Sequence, residues 1–111
     1  MLSPHFSSDE LRCKHCGVCE VTDELVGHLE LLRAIIGRPL PIVSGYRCPV
    51  HNRRVGGGRR SQHLLGKAAD IPRGLVNVTQ ARRAGFVGLG VSGVSVVHVD
   101  RRSGPDALWR Y

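Results

Sequence analysis

The clearest hydrophobic pattern in the chain covers residues 22–36. Its apolar positions recur at spacings of four, three and four residues, and they are Leu25, Leu29, Leu32 and Ile36. This spacing places them on one stripe of an α-helix, and the stripe is expected to pack in the core. Thr22 is a suitable N-cap, and Gly37 followed by Pro39 is expected to end the helix.

Two shorter helices are predicted from capping residues. Ser7 or Ser8 precedes acidic residues, which suits the first turn of a helix close to the amino terminus. Asn77 or Thr79 is a suitable cap for a second short helix over residues 80–84.

Three strands are predicted from β-branched runs. Residues 94–100 give the strongest signal, and residues 40–46 and 68–71 give weaker ones. Residues 48–60 contain three consecutive glycines and are expected to form a loop.

These elements predict one small α+β domain over residues 1–111, with a short antiparallel sheet and helices packed on one side. The tail, residues 101–111, is polar, and Trp109 is expected to fold back on the body.

Composition adds a strong positive charge, because 16 Lys and Arg residues outnumber nine acidic ones and give a net charge of +7. Such a chain favours contact with polyanions, such as nucleic acid or an anionic bacterial envelope, although a solvated basic surface is the plain alternative. The basic residues are scattered and are not interleaved with aromatic ones. No specific nucleic-acid partner is therefore expected.

The first ten residues contain no apolar run, and no stretch approaches the length of a membrane span. We therefore expect a protein that is made in a cytoplasm without a signal peptide. Nothing in the sequence indicates more than a monomer.

Four cysteines occur, at Cys13, Cys16, Cys19 and Cys48, and the first three form a C-x-x-C-x-x-C run. This spacing is typical of a metal or redox site. A closed tetrahedral metal site needs a fourth ligand, which Cys48, His15 or His5 could supply. Disulfides and buried thiols remain as alternatives.

Three further residues have the side chains of a catalytic zinc site, namely His63, Asp70 and His98. A glycine turn at Gly66 separates the first two. His98 lies inside the apolar strand, where an unpaired imidazole would be costly to bury. Taken singly, a core histidine and a capping aspartate are the more ordinary interpretations, so the three gain weight only together.

An ordered set of segments resembles the M15 type of zinc peptidase. In chain order the segments are Ser44-Gly45-Tyr46-Arg47-Cys48-Pro49, Asn52, Val55-Gly56-Gly57, Ser61-Gln62-His63-Leu64, Gly66, Ala68-Ala69-Asp70-Ile71 and His98-Val99-Asp100. The group includes D-alanyl-D-alanine carboxypeptidases, dipeptidases of the VanX type and phage L-alanyl-D-glutamate endopeptidases. Its zinc site is also similar to that of the Hedgehog signalling domain.

The resemblance implies a metal-site core at residues 40–100, preceded by a cysteine-containing segment at residues 1–21 that looks like the small phage and bacterial branch. It implies that His63, Asp70 and His98 hold one catalytic zinc ion, Zn2+.

The resemblance also implies two substrate-binding residues. Arg47 would bind a substrate carboxylate or steady the developing oxyanion, because a planar guanidinium suits that task. A structural salt bridge is the ordinary alternative for Arg47. Ser61 would orient the turn that carries His63 or hydrogen-bond the substrate.

The general base is not supplied by the resemblance. The positions where branches of the family carry a histidine or an acid are Val96 and Ser95 here. Asp100 shares a strand face with His98, so it is a candidate base, and equally a candidate partner that fixes the tautomer of a ligand histidine. His51 is a further candidate, as a base or as a substrate-binding residue, because the residues before the glycines could reach the site.

The resulting hypothesis is a zinc-dependent peptidase of peptidoglycan stem peptides, cutting as a carboxypeptidase or endopeptidase next to D-amino acids. Such a protein could serve as a phage endolysin or virion lysin and reach the cell wall through a holin or a virion. A second, structural zinc at the cysteines is part of the hypothesis. The alternative is a non-catalytic zinc-binding module that recognises cell wall.

Overall fold

The computed structural model describes residues 2–111 and shows one small α+β domain, which confirms the predicted fold class. The helices are α1 (Ser8–Leu11), α2 (Asp23–Ile36), α3 (Pro49–Arg54) and α4 (Val78–Arg83), with a 3-10 turn at Gln62–Leu65. The strands are β1 (Ala68–Asp70), β2 (Gly88–Ser92), β3 (Ser95–Asp100) and β4 (Ala107–Arg110). Within the described residues, no helix is long and apolar enough to cross a membrane.

The predicted caps define the helix ends. Ser7 caps α1, and Asn77 caps α4. Thr22 caps α2, where its hydroxyl accepts a hydrogen bond from the amide of Leu25 at 3.1 Å. Gly37 ends α2 in the left-handed conformation, with φ of 69°. These side chains and turns satisfy amide and carbonyl groups that a helix terminus leaves free.

The sheet has the strand order β1-β3-β2-β4. β3 is central and runs antiparallel to both β1 and β2, and it brings Asp70 opposite His98. β4 pairs with β2 in the parallel direction. The sheet is therefore mixed. The neighbouring strands β1, β3 and β2 are antiparallel as expected, whereas β4 is parallel to β2.

The structure also corrects three local expectations. Residues 40–46 do not form a strand, and only Ser44 makes an isolated bridge, to Asp70. Residues 49–54, expected as loop, form α3 with Pro49 at its first position, where proline is well tolerated. The polar tail contains a strand, β4, that the sequence pattern did not predict.

The hydrophobic core lies between one face of the sheet and the helices α2 and α4. Buried core side chains include Leu25, Leu29, Phe86, Val96 and Val99. The register of β2 and β3 shifts between Gly90 and Val91. This irregularity is a β-bulge, and it puts Val96 and His98 on different faces of the sheet although they are two residues apart on β3. Val96 therefore joins the core, whereas His98 is turned towards Asp70.

Candidate metal centre

The side chains of His63, Asp70 and His98 converge on one point, as the sequence predicts for metal ligands. Oδ1 of Asp70 lies 3.1 Å from Nε2 of His63 and 3.0 Å from Nδ1 of His98. Nitrogen and oxygen ligands 2.0–2.1 Å from a tetrahedral zinc ion lie roughly 3.3 Å from one another. The donor atoms are therefore close to the separation that a zinc ion requires.

The 3-10 turn places His63. The Ser61 hydroxyl accepts a hydrogen bond from the His63 amide at 3.2 Å, and Gly66 ends the turn with φ of 70°. A Cβ atom at Gly66 would clash with the carbonyl oxygen of Glu20, so only glycine fits there. The imidazole Nδ1 lies 2.7 Å from the Gly45 carbonyl, which can only accept a hydrogen bond. Nδ1 therefore carries the proton, and Nε2 presents its lone pair to the site.

The central strand β3 carries His98, which is only 7% exposed. Its Nε2 donates to Oδ2 of Asp100 at 2.8 Å, which leaves Nδ1 as the atom that faces Asp70. Burial lowers the pKa of His98, but hydrogen bonds to Asp100 and Asp70 outweigh it, and the pKa is raised. The ring of Trp109 packs beside the imidazole at a centroid distance of 5.0 Å.

Asp70 ends β1 and faces both histidines. Burial raises the pKa of its carboxyl group, but His63 and His98, once protonated, hold that pKa well below its ordinary value through hydrogen bonds and charge. Its second oxygen, Oδ2, accepts from the Arg47 guanidinium at 2.8 Å. The carboxylate is therefore ionised at neutral pH and fixed in orientation, as a metal ligand should be.

Arg47, predicted to bind substrate, makes the salt bridge to Asp70 that was its ordinary alternative. Its other nitrogens donate to the Ser44 hydroxyl at 3.2 Å and to the Asn52 side-chain oxygen at 3.4 Å. Asn52 in turn donates to the carbonyl of Gly58 at 2.9 Å and so ties down the glycine loop. Arg47 also lies on the wall of the cavity over the ligands.

Asp100, a candidate base, is completely buried and does not line that cavity. Besides His98, its carboxylate accepts from the side chain of Arg102, with the shorter contact at 2.7 Å. Burial raises the pKa of Asp100, but the hydrogen bonds from Arg102 and His98 outweigh it and lower that pKa far below its usual range. Asp100 contacts the nitrogen of His98 that points away from the ligand cluster.

The two positions at which the resemblance would place a general base, Val96 and Ser95, do not line the cavity. Val96 is fully buried in the core. The Ser95 hydroxyl accepts a hydrogen bond from the amide of Gly74 at 3.0 Å. His51 lies on α3 and is absent from the cavity wall, and its pKa is lowered by burial and by the charge of Arg47.

A cavity of about 310 Å3 opens over the ligand cluster. Its wall carries three guanidinium groups, two aromatic rings, the glycine loop and the 3-10 turn. The residues outside the three ligands are Arg47, Gly56, Gly57, Gly58, Arg60, Ser61, Gln62, Arg102, Trp109 and Tyr111. Arg60, Arg102 and Tyr111 were not predicted from the sequence to lie at the site. Only the expected return of Trp109 to the body pointed to this part of the tail.

The four cysteines, which all lie within the described residues, are free thiols. The sulfur atoms of Cys13, Cys16 and Cys48 lie within 4.8 Å of one another. Cys19 is outside this cluster and packs, half-buried, against the hydrophobic core. The disulfides that the sequence left open as an alternative are therefore not formed, and three of the four cysteines form a separate group of candidate ligands.

Comparison with protein families shows which family the chain is similar to. The model of a family described as Peptidase M15 matches residues 4–100. The matched range includes all three converging ligands, Arg47 and the four cysteines, and it ends before Arg102 and β4. A search of curated proteins found no match.

Proposed function

The chain belongs to the peptidase M15 family, which confirms the resemblance in its motifs, and from this premise we propose that it is a zinc-dependent hydrolase of peptidoglycan stem peptides. It cuts, as a carboxypeptidase or endopeptidase, next to a D-amino acid. The proposal includes residues 1–111 as one peptidase domain, with residues 40–100 as its metal-site core. It also includes action at the bacterial cell wall as a monomeric phage endolysin or virion lysin.

The observation that carries the metal assignment is a set of hydrogen-bond acceptors that face one another. Because His63 Nδ1 donates to Gly45 and His98 Nε2 donates to Asp100, the other two ring nitrogens carry lone pairs in the neutral imidazoles. Both lone pairs point at the same Asp70 oxygen, within 3.1 Å. Such a buried group of acceptors needs extra protons or a cation, and the ligand types suit zinc.

The chain's own residues hold this centre in shape. Zinc, when bound, supplies Lewis-acid chemistry that polarises a scissile carbonyl and makes water more acidic. Arg47 holds one Asp70 oxygen and thereby turns the other towards the histidines. Asp100 holds the His98 ring with Nδ1 facing inwards, and Arg102 holds Asp100. We assign Asp100 the positioning role rather than that of the base.

The cavity wall suits a peptide with free carboxylates. Arg60 lines it beside Arg47 and Arg102, whose guanidinium groups already hold Asp70 and Asp100, so Arg60 is the group we assign to a substrate carboxylate, which a guanidinium binds through paired hydrogen bonds. Trp109 and Tyr111 add an apolar surface that can contact small side chains such as that of alanine. Stem peptides offer both features, since they carry carboxylates and alanine methyl groups.

One observation favours a second candidate function, a non-catalytic zinc-binding module that recognises cell wall. Among the described residues on the cavity wall, the only carboxylate is that of Asp70, which is already placed as a ligand. This part of the wall therefore offers no second acid to carry a proton, whereas general acid–base catalysis contributes roughly 100- to 10,000-fold in many hydrolases.

The deciding experiment measures zinc content and the release of new amino groups from purified peptidoglycan. The proteins compared are the wild type, His63→Ala and the control Val94→Ala, whose side chain is exposed between β2 and β3 and does not line the cavity. We expect wild type and control to bind zinc and cleave, and His63→Ala to lose zinc at this centre together with cleavage. Zinc binding without cleavage in the wild type would select the recognition module. A wild type that binds no zinc through His63 would refute both.

A further inference from the structure

The three-cysteine cluster lies apart from the histidine centre and has no role in the proposed reaction. We propose that Cys13, Cys16 and Cys48 bind a second zinc ion, in a structural site that ties the amino-terminal segment to the start of α3. This inference does not rest on the proposed function, since it concerns different residues and needs no substrate.

A tight turn brings the first two cysteines together. The amide of Cys13 donates to the carbonyl of Val18 at 2.7 Å, and the amide of Gly17 donates back to the carbonyl of Cys13 at 2.9 Å. Gly17 has φ of 77°, which this turn uses and which other residues rarely adopt. Cys13 and Cys16 are therefore held on a closed loop, as in many Cys-x-x-Cys metal sites.

The third cysteine is brought to the loop by α3. The three sulfur atoms lie within 4.8 Å of one another, and thiolates bound at about 2.3 Å to a tetrahedral zinc lie roughly 3.8 Å apart. Small side-chain rotations are enough to close that difference. Because Cys16 is exposed, solvent reaches the cluster, and a water molecule can complete the tetrahedron.

Backbone amides are aimed at two of the sulfurs. The Cys48 amide donates to Sγ of Cys13 at 3.4 Å, and the His51 amide donates to Sγ of Cys48 at 3.4 Å. Donors of this kind stabilise negative charge on sulfur, which a metal-binding thiolate carries. A cluster of plain buried thiols does not need them.

The surroundings also suit a site with excess negative charge. Three thiolates on a divalent ion leave a net charge of −1, and the same loop carries Arg12 and Lys14 beside the cluster. Arg54 approaches from α3, where its guanidinium lies 3.2 Å from the ring of His15. These cations offset the charge that remains after the metal binds.

The site would join two segments that support the histidine centre. Cys48 directly follows Arg47, which holds Asp70. The Tyr46 amide donates to the carbonyl of Leu11, close to Cys13. A metal ion between Cys13 and Cys48 would therefore fix the loop that carries Arg47 against the amino-terminal segment.

The test loads the reduced, metal-free full chain with cobalt(II) as a spectroscopic probe and measures zinc content in parallel. Cobalt bound to thiolates gives an intense near-ultraviolet charge-transfer band, which imidazole and carboxylate ligands do not give. The proteins compared are the wild type, His63→Ala, Cys16→Ser and Cys19→Ser. Cys16 is exposed, so its replacement should not impair folding, and Cys19 is the matched control outside the cluster.

We expect the band in the wild type, in His63→Ala and in Cys19→Ser, and its loss in Cys16→Ser. Zinc content should fall from about two ions per chain to about one in Cys16→Ser and remain near two in Cys19→Ser. A wild type without the band would overturn the proposal, and so would equal loss of the band in the two cysteine variants. A Cys13–Cys48 disulfide in protein purified without reductant, with no zinc at the cluster, would overturn it as well.

Discussion

At the scale of single residues, the structure separates the groups that face the cavity from those that hold them. Asp100 is fully buried, does not line the cavity, and accepts hydrogen bonds from His98 and Arg102, which do line it. A carboxylate on the remote nitrogen of a ligand histidine fixes its tautomer and makes the ring a stronger base. Under the proposed function, Asp100 therefore acts on a bound metal ion through His98.

This position of Asp100 predicts an effect on metal affinity. In Asp100→Asn the partner of His98 loses its charge, and the salt bridge to Arg102 is lost as well. We expect zinc affinity at the histidine centre to fall about 10- to 100-fold, as measured by competition with a chromophoric chelator. Asp106→Asn is the control, because that carboxylate is largely exposed. An activity loss with unchanged zinc affinity would instead identify Asp100 as the base.

His63, Asp70 and His98 could be predicted to converge because each lies in a short segment that resembles the family, although each residue taken singly favoured an ordinary interpretation. The partners of these ligands could be predicted only in part. The alternation of side chains along a strand predicted that Asp100 lies on the same face as His98, and the two side chains form a hydrogen bond of 2.8 Å. Arg102 was missed because its role depends on the turn after β3, and no pattern in the polar tail indicates where that turn leads.

At the scale of elements, α2 does more than fill the core, because it also holds the amino-terminal segment. Glu30 on α2 accepts from the Ser3 hydroxyl at 2.6 Å and from the His5 amide at 2.8 Å. Its other oxygen lies 2.7 Å from the His5 ring. Burial raises the pKa of Glu30, but hydrogen bonds from Ser3 and His5 outweigh it and lower that pKa.

The contacts of Glu30 with Ser3 and His5, here called the clasp, predict that the Glu30 carboxylate makes a pH-dependent contribution to folding stability. Because the pKa of Glu30 is lowered on folding, its contribution is present above the ordinary value of 4.5 and is lost as the pH falls through the lower folded value. We expect Glu30→Gln to reduce the free energy of unfolding at pH 7 by about 1–2 kcal/mol. The difference in unfolding free energy between Glu30→Gln and the wild type should shrink towards zero as the pH falls below the folded pKa of Glu30.

Denaturant unfolding at several pH values measures this difference. Glu20→Gln serves as the control. Glu20 is exposed and lies outside the clasp, and its substitution removes the same charge. A Glu30→Gln deficit that stays constant across the acidic range would show that the clasp does not depend on the charge of Glu30.

The missed strands have a physical explanation in contacts that are distant in sequence. β2 was not predicted because Gly88 and Gly90 weaken a strand pattern. A Cβ atom at Gly88 would clash with the Asp100 carboxylate, and one at Gly90 would lie 2.9 Å from the Trp109 ring nitrogen. The glycines are required by side chains that arrive from β3 and β4. Local propensity cannot reveal such a requirement, whereas the caps of α2 and α4 are local and were predicted.

At the scale of the whole molecule, the net charge of +7 is the dominant feature outside the site. Cell walls that carry anionic polymers attract such a protein, and salt screens this attraction over a distance of about 10 Å at 0.1 M ionic strength. The charge should therefore affect how the protein meets the wall more than how it cuts a bond.

This argument predicts a salt dependence that differs between substrates. Between low and roughly 0.5 M salt, the rate of cleavage of intact walls should fall several-fold, because accumulation on the anionic surface is lost. The rate on walls stripped of anionic polymers should change much less. Turbidity or amine-release assays on the two wall preparations measure the contrast. Equal salt dependence on both would show that the net charge has no such role.

The cavity wall is built from two parts of the chain, the range that matches the family and the tail that follows it. The ligands and Arg47 lie within residues 4–100, which match the family, whereas Arg102, Trp109 and Tyr111 follow the matched range. The tail strand therefore contributes to the cavity wall without contributing any of the three candidate ligands. Under the proposed function, replacing this strand is expected to change which substrates the cavity admits while the candidate ligand set stays the same.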